Sequence, residues 1–156
     1  MLNNWTYNDG NGNTKIIEKL DDFPLNTFGF IYKIVNINTG KYYIGKKSLI
    51  HNKRHKLTKK QLSEITGKGR RPKTEILKVE NDWLLYNGSS KPLLKDIKEL
   101  GGGVFQKKII QICYSKKQLS YYEIFNQIMN DVLTDDNSYN DNISGKFFRK
   151  DLVVIL

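Results

Sequence analysis

The stretch from Phe28 to Ile37 reads Phe-Gly-Phe-Ile-Tyr-Lys-Ile-Val-Asn-Ile and is followed, after Asn38-Thr39-Gly40, by Lys41-Tyr42-Tyr43-Ile44-Gly45-Lys46. Two runs rich in aromatic and β-branched residues around a turn-forming segment predict a β-hairpin. Its first strand is apolar on both faces, with Phe30 and Ile34 on one and Ile31 and Val35 on the other. Such a strand suits the interior of a sheet covered by helices on each side. A register in which Asn36 faces Lys41 sets Tyr32 opposite Gly45, with Tyr43 diagonal to it on the same face. The result is a small aromatic platform beside a residue without a Cβ, where a phosphate or another backbone can come close to the sheet. A slip of one residue disperses it. The competing reading of two strand tyrosines is core packing with their hydroxyls at the rim.

Charge is the second constraint. The 156 residues include 26 Lys and Arg against 16 Asp and Glu, a formal charge of +10. Positions 41–78 alone hold 13 of the basic residues and only Glu64 and Glu75, so this quarter carries +11 and the rest −1. An average basic run merely keeps a loop solvated. A concentration of this size fits a polyanion, whose condensed counterions the side chains displace. Nucleic acid is the expected partner, with Gly45, Lys53, Lys56, Lys68, Arg70, Arg71 and Lys73 expected to meet its backbone.

Length fits one domain with a real core. The single cysteine, Cys113, can form neither an internal disulfide nor a cysteine metal cluster. The segment Met1-Leu-Asn-Asn-Trp5 lacks the basic-then-apolar layout of a secretion signal, and no apolar run approaches the roughly 20 residues that cross a bilayer. A cytoplasmic location with a reducing interior and no membrane association are the expectations.

Residues 1–24 are polar, with a turn-like Asn-Asp-Gly-Asn-Gly-Asn at 8–13, and their role is open. Residues 48–75 mix basic residues with Gly and Pro, predicting a loop with a short helix from Thr58 to Ile65. A strand is predicted over Glu75–Glu80, and Ser90 followed by Pro92 opens a helix that Gly101-Gly102-Gly103 ends. Phe105 to Cys113 predicts another strand. Ser115-Lys-Lys-Gln118 opens a second helix to about Leu133 that contains Glu123. The apolar Leu152–Leu156 predicts an edge strand.

Phe30-Ile31-Tyr32, ten intervening residues and Tyr43-Ile44-Gly45 together resemble the paired motif of the GIY-YIG nucleases. Phe30 stands where the family has glycine, with Gly29 one place earlier. The order that follows also resembles the family: a basic segment, a helix bearing an isolated glutamate, then an asparagine, covering residues 28 to about 145. Trp83, Tyr86, Gly88-Ser89-Ser90 and Tyr139-Asn140 are similar to small phage-encoded endonucleases of this kind. The resemblance implies an α/β domain around a small three-stranded antiparallel sheet flanked by helices. Its parts are an N-terminal extension (1–27), the nuclease domain (28–145) with a basic insertion (46–78), and a C-terminal tail (146–156).

It also implies a divalent-metal-dependent DNA endonuclease using Mg²⁺ or Mn²⁺. Glu123 matches the metal-binding glutamate, and one carboxylate suffices for an ion that keeps its waters and takes further ligands from phosphate. Tyr32 matches the tyrosine that helps take a proton from the attacking water, with Tyr43 ordering the site or touching the phosphate. A free tyrosine has a pKa of about 10, so this role needs cationic neighbours. Lys46 and Lys47 follow the glycine and are candidates, Lys47 sharing the face of Tyr43 by alternation. Arg54 best matches the family's arginine, with Arg70 and Arg71 as rivals, and Asn140 matches the late asparagine that holds the helix or substrate, with Asn142 as rival. His51 and His55 lack the third ligand a zinc site needs. Trp83 and Tyr86 suit base stacking or burial under the first strand. The alternative function is a non-catalytic nucleic-acid-binding module on the same fold.

Overall fold

The computed structural model describes residues 4–152. They form two compact units, one from the chain up to Leu49 and from Asp82 onward, the other from Ile50–Asn81.

In the first unit the predicted hairpin forms as β3 (Gly29–Asn36) and β4 (Tyr42–Ser48). The Asn36 amide donates to the Lys41 carbonyl at 2.8 Å, and Gly40, at φ +75°, donates to the Asn36 carbonyl at 2.8 Å. Those bonds set the register that pairs Tyr32 with Gly45. Phe105–Cys113 forms the strand β7, antiparallel to β3. Between Ile31 and Tyr32 the partner on β7 jumps from Gln111 to Ile109, leaving Ile110 as the extra residue of a bulge. A bulge adds local twist and re-aims the neighbouring side chains.

The sheet has five strands rather than three: β1 (Trp5–Asn8) and β2 (Thr14–Ile17) join it, giving the order β2-β1-β7-β3-β4. The additional pair is connected across a turn in which Asp9 Oδ1 accepts from the Asn11 amide at 2.8 Å. Strands of four residues are too short to show alternation in a polar sequence, but Trp5 and Ile17 are fully buried and anchor the pair. Because β1 runs parallel to β7, the sheet is mixed rather than wholly antiparallel.

Both faces of β3 are covered. Phe30, Tyr32 and Ile34 pack with Trp5, Ile17, Phe23, Trp83, Leu93 and Phe105 on one side. Ile31 packs with Ile44, Cys113, Leu119, Val132 and Leu133 on the other. Each large apolar side chain so buried contributes about 1.5–3 kcal/mol.

Helix α2 (Lys91–Leu100) has Ser90 as N-cap and stops at Gly101, which takes φ +83°. The next helix of this unit, α3 (Lys116–Met129), starts at the predicted cap, where Ser115 Oγ accepts from the Gln118 amide at 3.1 Å. It ends before Leu133 because Asp131 turns to φ 49°, after which Val132 and Leu133 drop into the core. Two short strands, β8 (Asn142–Ile143) and β9 (Phe147–Phe148), pair near the end. The edge strand predicted over 152–156 lies, from 153 onward, outside the described residues.

The second unit is an antiparallel ribbon of β5 (Ile50–Lys56) and β6 (Thr74–Glu80). The short helix α1 (Lys59–Glu64) lies between them in sequence, and Thr58 and Gln61 make a reciprocal capping box at its start. Residues 50–56 are a strand where a loop was predicted. All seven are exposed, so no apolar alternation marks them. No helix among the described residues is long and apolar enough to cross a membrane.

Candidate active site

The platform of Tyr32, Tyr43 and Gly45 forms as the register requires. A Cβ on Gly45 would stand 2.6 Å from the Tyr32 hydroxyl oxygen and 2.8 Å from Tyr43 Cε1. The space above this glycine is therefore filled by the two phenol rings, and no phosphate or second backbone takes it. Glycine is also indispensable at 29, where a Cβ would fall 2.5 Å from the Lys47 carbonyl oxygen. Phe30, at the place of the motif's glycine, is instead fully buried between the rings of Phe23 and Trp5. The shift of one place between sequence and motif thus has a packing reason.

Tyr32 is 1% exposed. Burial raises its pKa well above the ordinary 10, and the neighbouring phenols of Tyr43 and Tyr86 and the carboxylate of Glu123 raise it further. Burial likewise raises that of Tyr43, whose hydroxyl lies 3.1 Å from Ser89 Oγ. Both shifts favour the neutral phenol, which can donate a hydrogen bond.

Tyr43 lines an open cleft of about 970 Å³ together with Glu123, Gln127, Tyr139 and Asn140. Glu123 comes from α3, which packs on the side of Ile31, whereas Tyr43 packs on the side of Tyr32. The two meet because β4 is the outermost strand, around whose edge the cleft wraps. Lys46 and Lys47 point to opposite faces of β4. Lys46 Nζ lies 2.9 Å from Glu123 Oε2 and 3.3 Å from Ser120 Oγ. Lys47 Nζ lies 2.6 Å from Asp82 Oδ1 and 3.8 Å from the centre of the Tyr86 ring.

The edge of β4 is closed by the segment 137–140. The Tyr42 amide donates to the Asn137 carbonyl at 2.9 Å and the Tyr139 amide to the Tyr42 carbonyl at 2.7 Å. Asn140 continues the ladder with its side chain, which bonds the backbone of Ile44 in β4 and also lines the cleft. Its rival Asn142 is exposed and accepts from the Gly145 amide in a turn. Arg149 ties the segment down, its Nη2 lying 2.9–3.2 Å from the carbonyls of Val132, Asp135, Ser138 and Asn140.

A family model described as "Putative endonuclease segE, GIY-YIG domain" matches residues 13–143. The chain belongs to the GIY-YIG family. No curated protein and no solved structure matches it. Membership makes nuclease-type chemistry the class of activity and DNA the class of substrate of this GIY-YIG domain.

The family implies a divalent ion, and the donor set can be tested against one. Among the described residues no group of three or more His, Cys, Asp or Glu is gathered, which excludes an all-protein cage. Glu123 lines the cleft, as do Asp96 and Asp141, and Mg²⁺ accepts a site with one carboxylate because it keeps several waters. Four residues on, and so on the same helix face, Gln127 is 4% exposed and its Oε1 is buried without a partner. The amide is oriented by Nε2, which donates to the Ile44 carbonyl at 3.0 Å. A buried acceptor without a partner, one helical turn from a carboxylate, is what the water shell of an ion would satisfy, so the residues fit the group.

Sequence reasoning missed Gln127, Lys91 and Lys95 in the cleft wall, and Arg149 beneath it. The i, i+4 relation to Glu123 could have found Gln127; nothing local marks Arg149. Trp83 is buried, stacked edge-on against Phe23, and does not offer a face to bases. Arg54, Lys53, Lys56, Lys68, Arg70, Arg71 and Lys73 all belong to the second unit, where all seven are exposed. His51 and His55 lie in β5, where four strand steps separate their Cα atoms by about 13 Å. His55 Nδ1 pairs instead with Glu75 Oε1 at 3.0 Å.

Proposed function

We propose that this GIY-YIG domain is a divalent-metal-dependent DNA endonuclease whose reaction takes place over the outer edge of β4. The supporting observation is the convergence of Tyr43, Glu123 and Gln127 on one cleft, although β4 and α3 bring them from opposite faces of the sheet. Glu123 would hold Mg²⁺ or Mn²⁺, and Gln127 Oε1 would accept a hydrogen bond from a water of its shell. Such an ion supplies an activated water and relieves charge on the phosphate oxygens.

The chain's own groups complete the demands of phosphodiester hydrolysis. Tyr43, neutral and at the cleft surface, donates a hydrogen bond to a phosphoryl oxygen on which charge builds. Tyr32 acts behind it as a positioning phenol, and Gly45 leaves room for both rings against the strand. Lys46, beside Glu123, neutralises the carboxylate before substrate arrives and brings positive charge to the phosphate when it does. Lys47 holds Tyr86, which stands edge-on to Tyr32. Asn140 fixes the strand that carries these groups.

The deciding experiment incubates supercoiled plasmid with Mg²⁺, with and without chelator, beside Glu123→Ala. Nicking by wild type that is lost with chelator and in the variant supports the reading. Retarded mobility without nicking in both proteins overturns it and leaves a binding module.

A further inference from the structure

The second unit has no enclosed core of its own, yet it is regular. Its ten Lys and Arg against three Glu give residues 50–81 a charge of +7, most of the chain's +10. Pairing fixes which side chains share a face. Asn52 lies opposite Lys78, Arg54 opposite Ile76, and Lys56 opposite Thr74. The other face carries His51, Lys53 and His55 opposite Val79, Leu77 and Glu75. Only the second of these faces has a carboxylate within the ribbon's body, in the His55–Glu75 pair; the first has one only at its root, Glu80 opposite Ile50.

The face of Asn52, Arg54 and Lys56 is therefore the one free to approach a polyanion. Its composition goes beyond charge. Arg and Asn are the side chains that make paired hydrogen bonds to guanine and adenine edges, and apolar groups meet the thymine methyl. Ile76, 64% exposed at the middle of this basic face, has no account in solvation. The size also fits. A two-stranded antiparallel ribbon can enter the major groove, about 12 Å wide. Seven residues of strand span roughly 23 Å, about two thirds of a turn of duplex. Lys68, Arg70, Arg71 and Lys73, in the connection between α1 and β6, are left for phosphates.

We propose that the β5–β6 ribbon enters the major groove of duplex DNA with Asn52, Arg54, Thr74 and Ile76 toward the base edges, and so carries the sequence preference of this chain. The proposal rests on the reading of the protein as a DNA enzyme and assigns Arg54 to base recognition. An A-form duplex has a deep, narrow major groove that excludes such a ribbon, so the partner is DNA and not double-stranded RNA.

The test selects bound duplexes from a random-sequence DNA pool, using the full chain with Glu123→Ala and no added metal, followed by sequencing. The same selection is run with Asn52→Ala/Arg54→Ala/Ile76→Ala added, with Arg54→Lys added, and with Lys68→Ala/Arg70→Ala/Arg71→Ala added. The parent is expected to enrich a short motif. The ribbon triple variant should bind with its preference reduced by about 10-fold or more, one lost bidentate contact being enough for this. Arg54→Lys keeps the charge and should lose preference at one position only. The connection triple variant should keep the motif and weaken all sequences alike. An unchanged motif in the ribbon variants, no motif in the parent, or tighter binding to duplex RNA overturns the proposal. Failure of the plasmid assay leaves this selection unaffected, so the two readings fail separately.

Discussion

Asn140 holds both backbone polar groups of Ile44, accepting from its amide at 3.0 Å and donating to its carbonyl at 2.8 Å. One side chain thereby does the work of a neighbouring strand at the edge beside Gly45. Replacement by alanine leaves the buried Ile44 amide unpaired, while the carbonyl keeps Gln127. The expected loss is about 2–3 kcal/mol in urea unfolding, together with most of the nicking activity. Asn140→Asp is expected to be no better, because a carboxylate would face the Ile44 carbonyl.

Gly45→Ala puts a methyl group within 2.6–2.8 Å of the Tyr32 and Tyr43 phenols, of which Tyr32 is fully buried. We expect about 1–3 kcal/mol of destabilisation from overpacking, and altered near-ultraviolet circular dichroism from displaced tyrosines. Native stability with an unchanged tyrosine spectrum would show that the rings do not occupy that space.

The environment of Tyr43 fixes the sign of a pH effect. Burial raises its pKa above 10, so between pH 7 and 9.5 it stays protonated and its donor capacity is constant. Tyr43→Phe should lower the nicking rate on the order of 100-fold, as loss of a transition-state donor does, while leaving the shape of the pH–rate profile unaltered. A limb present in wild type and missing in the variant would mean that the phenol titrates during turnover.

Gln127→Leu removes the orphaned oxygen and is expected to keep or slightly raise the thermal midpoint. Mn²⁺ binding, read by electron paramagnetic resonance, should weaken about 10-fold or more, in the manner of outer-shell partners, and should vanish in Glu123→Ala. Equal Mn²⁺ affinity in Gln127→Leu and wild type would remove the side chain from the metal site.

Lys107 offers a stability test independent of activity. It is 2% exposed, with Nζ 2.9 Å from the Leu84 carbonyl and 4.1 Å from the Trp5 ring centre, and burial lowers its pKa to about 8. Between pH 8 and the unfolded value of 10.5 the unfolded chain binds more protons at this group, so its contribution to stability rises with pH. Tyr42 and Tyr139, raised to about 12, act oppositely once free tyrosine ionises above pH 10. The thermal midpoint of wild type should therefore climb from pH 8 to about 9.5 relative to Lys107→Met, measured by circular dichroism. A parallel course for the two proteins would contradict it.

The hairpin, its register and the caps at Ser90 and Ser115 were legible because each rests on local chemistry: alternation, turn residues and capping side chains. Glu123 was singled out through motif order and Lys46 through adjacency to Gly45, and the fold sets them 2.9 Å apart. What the sequence hid is long-range or unpatterned. Four-residue strands in a polar segment and an exposed ribbon carry no periodicity, and the state of Tyr32 depends on rings supplied by residues 5 and 86. Arg149 reads as a tail residue until the carbonyls it gathers are folded around it.

The parallel pairing of β1 with β7 turns the order of synthesis into an order of assembly. Thr6 hydrogen-bonds to a residue 101 positions later, so the β1–β2 hairpin waits for most of the polypeptide before it can join the rest of the sheet. Pairing over such a separation is slow to nucleate. The edge beneath the phenols is sealed later still, by residue 140, so the cleft takes shape only after nearly all of the described residues have been made.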